Sequence, residues 1–334
     1  MTASPTSTAL APVELPGIGR PMSATVLGTM TFGDTVTGAD AASMLDLALD
    51  SGVTSVDTAN GYAGGASEEI LGDLLPRRRD RVVLATKAGI AHPDAGENAP
   101  LSAAGLRASL EGSLSRLGTD RVDLLYLHQP DRDTPLAETL STVADLVREG
   151  KVGALGVSNY AAWQIADVRH AAAEAGAPQP VVAQQLYNLL ARRIEEEYTE
   201  FAATHGLLTM VYNPLAGGML TGRHRFDQDP SSGRFADARI AGMYRQRYWD
   251  HALFDAVDAL TRVADGAGLS LTDLSLRWLL SKPATGALLL GGSRAEHLRA
   301  NLAAVAAGPL PAETVAACDE VGASLRGPMP AYNR

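Results

Sequence analysis

A single (β/α)8 barrel is the fold class that this sequence of 334 residues predicts. Eight short apolar runs recur at intervals of about 30 residues, the period of one strand plus one helix. Segments with apolar residues at three- and four-residue spacing lie between them, as amphipathic helices require. Several of the runs are apolar at consecutive positions, as parallel strands covered on both faces should be. Alternating units of this kind close most simply into one barrel.

In chain order, residues 1–20 read as a flexible leader. The first basic residue is Arg20, and MTASPTSTALAPVELPG has neither the charged start nor the apolar stretch of a secretory signal. The strands that follow are TVLGTM (25–30), TSVDTA (54–59), VVLATKA (82–88), VDLLYLHQ (122–129), GALGVSN (153–159), VVAQQLYN (181–188), LLTMVYNP (207–214) and GALLLGG (286–292). Between the third and fourth, SAAGLRASLEGSLSRLG predicts a helix capped by Ser102 and stopped at Gly118. A serine hydroxyl accepts from the first free amides, and glycine tolerates the left-handed residue that ends a helix. AETLSTVADLVREGK predicts another helix, ending at Gly150.

Residues 215–250 break the rhythm. They are rich in Gly, Arg and aromatic residues and too long for an ordinary connection, which predicts a functional loop rather than a second domain. The barrel is expected to span 21–325, with 326–334 as a C-terminal tail. A doubly wound dinucleotide-binding sheet would need G-x-G-x-x-G after its first strand, where this chain reads GTMTFGDTVTG.

The net charge of -10 and pI near 5.2 disfavour binding along nucleic acid phosphates or an anionic membrane, since both need a basic surface. A small-molecule partner is expected instead. Cys318 is the only cysteine, so no intrachain disulfide can form and nothing points to an oxidising compartment. No run approaches the roughly 18 apolar residues of a membrane helix. The expected location is cytoplasmic, and a homo-oligomer is compatible with this sequence.

In such a barrel the carboxyl ends of the strands and the loops after them surround one mouth, where chemistry is found. They collect Asp57 and Tyr62, Lys87, His128, Ser158 and Asn159, Gln184, and Tyr212. Each alone could be structural: a helix cap, a hydrogen-bonded core histidine, a turn. Unrelated structural roles would scatter over both ends of the barrel, however, and this set makes chemical sense together. A phenol with a pKa near 10 is a sluggish acid, and a nearby ammonium lowers that pKa. Lys87 can supply the charge, and Asp57 can keep a partly buried lysine protonated. Of 28 basic residues only Lys87, Lys151 and Lys282 are lysine, which makes the lysine ending the third strand stand out.

These residues resemble the aldo-keto reductase superfamily from about residue 24 to 325. DTANGYAGGASEEILG is similar to its Asp-Thr-Ala segment with the downstream tyrosine and Glu-x-x-Leu-Gly, LATK to its lysine motif and LLYLHQPD to its histidine motif. The resemblance implies a catalytic tetrad of Asp57, Tyr62, Lys87 and His128. It assigns Ser158, Asn159 and Gln184 to the carboxamide of a nicotinamide, and Tyr212 to its ring face. GGSRAEHLRANL is similar to the adenosine-phosphate element, which would bring Ser293 and Arg294 to a 2′-phosphate and His297 and Asn301 to the adenine half. Further cofactor contacts are implied for Gly28, Thr29, Met30 and Asp57, for Asn213, Pro214, Leu215, Gly217, Leu220 and Arg223, and for Gly291.

Three positions depart from the family pattern: Ala300 where many relatives carry glutamate, His297 for the commoner glutamine or arginine, and Arg223 for a lysine near the pyrophosphate. NPLAGGMLTG and GGSRAEHL look closest to bacterial reductases of the aflatoxin-aldehyde reductase and potassium-channel β subunit-like branches. The implied activity is reduction of an aldehyde or ketone by NADPH, with the proton from Tyr62 and no metal. The alternative is a cofactor-sensing regulatory subunit with little turnover. Met30, Phe32, Tyr160, Trp163, Tyr244 and Trp249 are candidates for apolar surface at the mouth, and the 215–250 loop for a clasp over the cofactor.

Overall fold

The computed structural model describes residues 11–236 and 240–327. The chain runs β1 (Thr25–Gly28), α1 (Gly38–Asp50), β2 (Ser55–Asp57), α2 (Ala66–Leu74), β3 (Val83–Ala88), α3 (Ala103–Leu117), β4 (Val122–Leu127), α4 (Leu136–Arg148), β5 (Val152–Ser158) and α5 (Ala162–Ala175). It continues through β6 (Val182–Leu186), α6 (Tyr198–Thr204), β7 (Leu208–Tyr212), α7 (Ala241–Tyr248), α8 (His251–Gly266), α9 (Leu271–Leu280), β8 (Ala287–Leu290), α10 (Ala295–Ala306) and α11 (Ala312–Ser324). The eight strands pair in parallel in sequence order, and β8 returns to β1 to close the barrel. All eight expected strands are present; seven end before their expected carboxyl ends, and Asp57, Lys87, Ser158, Gln184 and Tyr212 stand in the last residues of their ladders.

Strand side chains point alternately to the interior and to the surrounding helices. Val26, Val83, Ala85, Leu124, Tyr126, Ala154, Val182, Met210 and Ala287 fill the interior. Val56, Leu84, Leu125, Leu155, Ala183, Val211 and Leu288 pack outward into the larger core. The same two-residue step decides where the polar groups go. Lys87 follows Val83 and Ala85, His128 follows Leu124 and Tyr126, and Gln184 follows Val182, so each leaves its strand on the interior side. Gly156 keeps room for the Tyr126 ring, because a Cβ there would stand 2.6 Å from Tyr126 Cδ1.

The caps read from sequence form as expected. Ser102 Oγ accepts from the Gly105 amide at 3.2 Å, and Gly118 ends α3 with φ +60°. Residues 11–20 depart from the expected leader. Val13 and Met22 exchange backbone hydrogen bonds of 2.8 Å, and Ile18 and Met22 are buried in the inner core against Ala24 and Val26. The interior needs an apolar floor at its amino-terminal end, and these residues supply it; residues 1–10 lie outside the described residues. The 215–250 segment contains a tight turn at Ala216–Thr221 and then α7, with Phe235 packed on Tyr244 and Trp249 at ring separations of 5.9 and 5.2 Å. Within that segment residues 237–239 lie outside the described residues. Among the described residues no helix is long and apolar enough to cross a membrane.

Candidate active site

Three sets of expected residues occupy the carboxyl end of the barrel. The first is built on β2, β3, β4 and β6. Lys87 Nζ is bonded to Asp57 Oδ1, donates to the Thr58 carbonyl at 2.9 Å and lies 3.1 Å from the Tyr62 hydroxyl. Asp57 and Lys87 are fully buried. Gln184 donates to the other Asp57 oxygen at 2.9 Å. The His128 ring meets the Tyr62 ring edge-on, with centroids 6.1 Å apart. Thus the tetrad expected from the motifs is one contiguous cluster.

Local sequence explains how Tyr62 gets there. After β2 the chain turns back through three consecutive left-handed residues, Ala63 (φ +49°), Gly64 (+65°) and Gly65 (+103°). Two of the three are glycine, which takes this conformation without strain. The following helix start is fixed by a buried hydroxyl set: Ser67 lies 2.9 Å from both Thr29 Oγ1 and Thr58 Oγ1, and Thr29 donates to the Asp57 carbonyl at 3.0 Å. Thr29, expected at the cofactor, therefore spends its hydroxyl holding the end of β2.

Electrostatics follow from burial. Burial works against the Lys87 ammonium, but attraction to Asp57 and Tyr62 outweighs it and holds its pKa above 10.5. Burial pushes the Asp57 carboxyl up, opposed by Lys87 and Gln184. The expected lowering of the Tyr62 pKa needs correction: burial raises the phenol above 10, and Lys87 opposes that rise without reversing it. The result is a tyrosine that holds its proton at neutral pH, beside a cation ready to stabilise the phenolate. His128 is pulled down to about 3 by burial and by Lys87, so its imidazole is neutral. Its Nδ1 is buried without a hydrogen-bond partner among the described residues.

The second set lies across the mouth on β5 and β7. Ser158 Oγ donates to the Gln184 carbonyl at 3.1 Å. Asn159, with φ +63°, donates to the His128 carbonyl at 2.9 Å and accepts from the Tyr212 hydroxyl at 2.6 Å. Asn213, with φ +57°, accepts from the Gly217 amide at 2.7 Å and so shapes the turn after β7. Pro214 and Leu215 are half-buried beside it. Leu220, expected at the cofactor, is instead fully buried in the outer core and presents no surface to a ligand.

The third set surrounds the ends of β1 and β8. Ser293 and Arg294 are exposed just before α10, with Ser293 Oγ 3.2 Å from His297 Nδ1. Asn301 donates to the Gly291 carbonyl at 3.3 Å, and Thr31 to the Gly292 carbonyl at 2.8 Å. Gly28 and Gly291 lie in close approach, a Cβ on Gly291 standing 3.2 Å from the Gly28 carbonyl oxygen. Met30 is half-buried on the same side. Arg223 stands apart on the long loop, exposed, with Nε 3.2 Å from His224 Nε2.

The candidate apolar mouth is only partly there. Phe32 is fully buried in the outer core and Tyr160 is buried with its hydroxyl on the Gln129 carbonyl, while Trp163 is 63% exposed on α5. Tyr244 and Trp249 pack in the loop cluster. Sequence reasoning missed the fully buried Tyr126, whose ring lies 5.7 Å from Lys87 Nζ; its two-residue spacing from His128 was the available signal. It also missed Thr58 and the ion cluster behind Tyr62.

Residues 24–323 match the model of the Aldo/keto reductase family. The chain is 37% identical over 325 residues to Aflatoxin B1 aldehyde reductase member 2 of Rattus norvegicus, covering 93% of this chain and 87% of that protein. It is 38% identical over 332 residues to Aldo-keto reductase family 7 member A3 of Homo sapiens, covering 95% and 99%. It is also 32% identical over 285 residues to Probable voltage-gated potassium channel subunit beta of Arabidopsis thaliana, covering 84% and 86%.

Proposed function

Because the chain belongs to the aldo/keto reductase family, we propose that it reduces an aldehyde or ketone to the alcohol with NADPH, the proton coming from Tyr62. One observation carries this reading: the Tyr62 hydroxyl lies 3.1 Å from a lysine that is itself paired with a buried carboxylate. When bound, the nicotinamide supplies a hydride to the carbonyl carbon. The residues of the chain supply the rest. Tyr62 gives its proton to the carbonyl oxygen, and Lys87, held charged by Asp57, stabilises the phenolate left behind. His128, neutral and edge-on to Tyr62, orients the carbonyl by a hydrogen bond. Ser158, Asn159 and Gln184 would hold the carboxamide, and the Tyr212 ring would support the nicotinamide face.

The preference for NADPH is supported by the donor set at the other end. Arg294 is an exposed guanidinium at the residue before a helix of 12 residues, with the Ser293 hydroxyl next to it. A cation, a hydroxyl and free helix amides suit a dianionic phosphate. The rat relative's name specifies an aldehyde, which supports the carbonyl class.

A second reading, a cofactor-sensing regulatory subunit, is favoured by the plant relative named as a channel β subunit. Following NADPH absorbance with a panel of aldehydes and ketones separates the two. Steady consumption supports the reductase. Tight NADPH retention with no turnover across the panel overturns it.

A further inference from the structure

We propose that Arg116 is a positioning residue for Tyr62, holding the turn that sets the phenol beside Lys87; only the kinetic arm of the test rests on the reductase reading. The three left-handed residues after Tyr62 include Ala63, where an L-residue is strained, and such a conformation persists only when its surroundings over-determine it. Arg116 provides that constraint from behind. A Cβ on Gly65 would stand 2.9 Å from Arg116 Cδ and 3.1 Å from Nε, so the arginine stem fills the space under the turn. From the other side Gly33 closes in, with a Cβ there standing 3.3 Å from Ala63 Cβ and 2.6 Å from Ala66 Cβ.

The arginine is itself fixed. Its Nε donates to Glu68 at 2.9 Å, and its two terminal nitrogens donate to the two Asp94 oxygens at 3.1 and 2.7 Å. Glu68 is fully buried, and its other oxygen accepts from the Thr86 hydroxyl at 2.5 Å. Thr86 immediately precedes Lys87. One chain of charge-assisted bonds therefore runs from the strand residue beside Lys87, through α2, to the floor of the Tyr62 turn. Both partners of the Lys87–Tyr62 contact are referenced to the same guanidinium. The planar fork engages Asp94 bidentately while Nε serves Glu68, a fixed geometry that the point charge of a lysine does not reproduce. A buried ion cluster is in itself weak support for stability, whereas fixing geometry is a role it can fill.

The test uses the full chain carrying fluorotyrosine at position 62, in variants Arg116→Met, Arg116→Lys and Gly65→Ala. Arg79→Met is the control, since Arg79 pairs with Asp123 at 2.9 Å and bonds to none of these residues. Misplacement by 1 Å costs on the order of a hundredfold, so kcat should fall by roughly ten- to a hundredfold in Arg116→Met and Gly65→Ala, with NADPH affinity within about twofold of wild type. The fluorine NMR signal should shift or broaden in both, and Arg116→Lys should not restore it. Arg79→Met should lower the denaturation midpoint and leave the signal in place. A folded Arg116→Met with wild-type signal and kcat overturns the proposal, as does an equal disturbance in Arg79→Met. If Arg116→Met does not fold, Asp94→Asn, which loosens the guanidinium and leaves Arg116 and the turn's own residues unchanged, decides by the same readings. If the wild type reduces no carbonyl, the reductase reading fails separately, and the fluorine signal still decides.

Discussion

Gln184 donates its side-chain amide to Asp57 across 2.9 Å, a bond that spans the barrel interior because β6 and β2 stand on opposite sides of it. The residue that the motifs assign to the cofactor is thus also the second hydrogen-bond donor to the buried carboxylate of the tetrad. Removing it should therefore harm two properties together. Gln184→Leu leaves Asp57 Oδ2 without that donor, which should cost about 1–3 kcal/mol of stability and weaken NADPH binding as well. Urea unfolding and NADPH titration of the same variant check both. Weakened binding at unchanged stability would show that the bond to Asp57 carries no weight.

Tyr62→Phe removes the proton and leaves the ring in place. Positioned proton transfer is worth about 10²–10⁴ in rate, so kcat should fall by that factor while NADPH affinity stays unchanged. Single-turnover measurement with an aldehyde is the check, and turnover equal to wild type would exclude Tyr62 as the donor.

Much of this site is legible in the sequence because parallel barrel strands impose a rule: whatever ends a strand on its interior parity arrives at one mouth. Asp57, Lys87, His128, Ser158 and Gln184 follow that rule. Arg116 does not, because it comes from a helix and reaches the site only through its long side chain. Phe32 fails for a related reason, since no periodicity in an irregular loop says which way a side chain turns. Residues 11–20 look like a leader because they lack strand spacing, yet Ile18 joins Met22 in filling an interior whose open end only the closed barrel creates. The net rise of the Tyr62 pKa is likewise invisible in sequence, because it depends on how much burial offsets Lys87.

His128 should give stability an acid limb. Burial and Lys87 hold its pKa at about 3 against 6.5 in a free histidine, so between those values the folded protein binds fewer protons there than the unfolded chain. Its contribution is complete above pH 6.5 and is lost as pH falls toward 3. The slope is at most ~1.4 kcal/mol per pH unit, and less because the ring is only half-buried by area. His224, held near 4 by burial and Arg223, adds the same sign, so the measurement is a difference. His128→Gln should flatten the urea midpoint profile on the acid side relative to wild type; parallel profiles would contradict a neutral His128.

Arg294→Ala should separate the two nicotinamide cofactors. The guanidinium precedes α10 with Ser293 beside it, a placement that suits the extra phosphate of NADPH and offers nothing to a ribose hydroxyl that a neutral residue could not. A charge-assisted hydrogen bond is worth about 1.5–3 kcal/mol, so NADPH affinity should fall roughly ten- to a hundredfold. NADH affinity should change by less than about threefold. Equal losses in the two titrations would remove Arg294 from the phosphate site.

The Asp57–Lys87 pair makes the sharpest distinction between stability and activity. Both groups are fully buried, so deleting one strands the other: Lys87→Met alone should cost about 3–5 kcal/mol and most of the turnover. Adding Asp57→Leu removes the stranded carboxylate. The double variant should then recover much of the lost stability, because well-packed apolar groups can replace a buried ion pair at little cost. Turnover should not return, since Tyr62 would still lack the ammonium 3.1 Å from its hydroxyl. Urea unfolding and kcat across the two single variants and the double variant form the cycle. Recovery of kcat in the double variant would mean that the pair serves only the fold, and that Tyr62 does not depend on Lys87 to give up its proton.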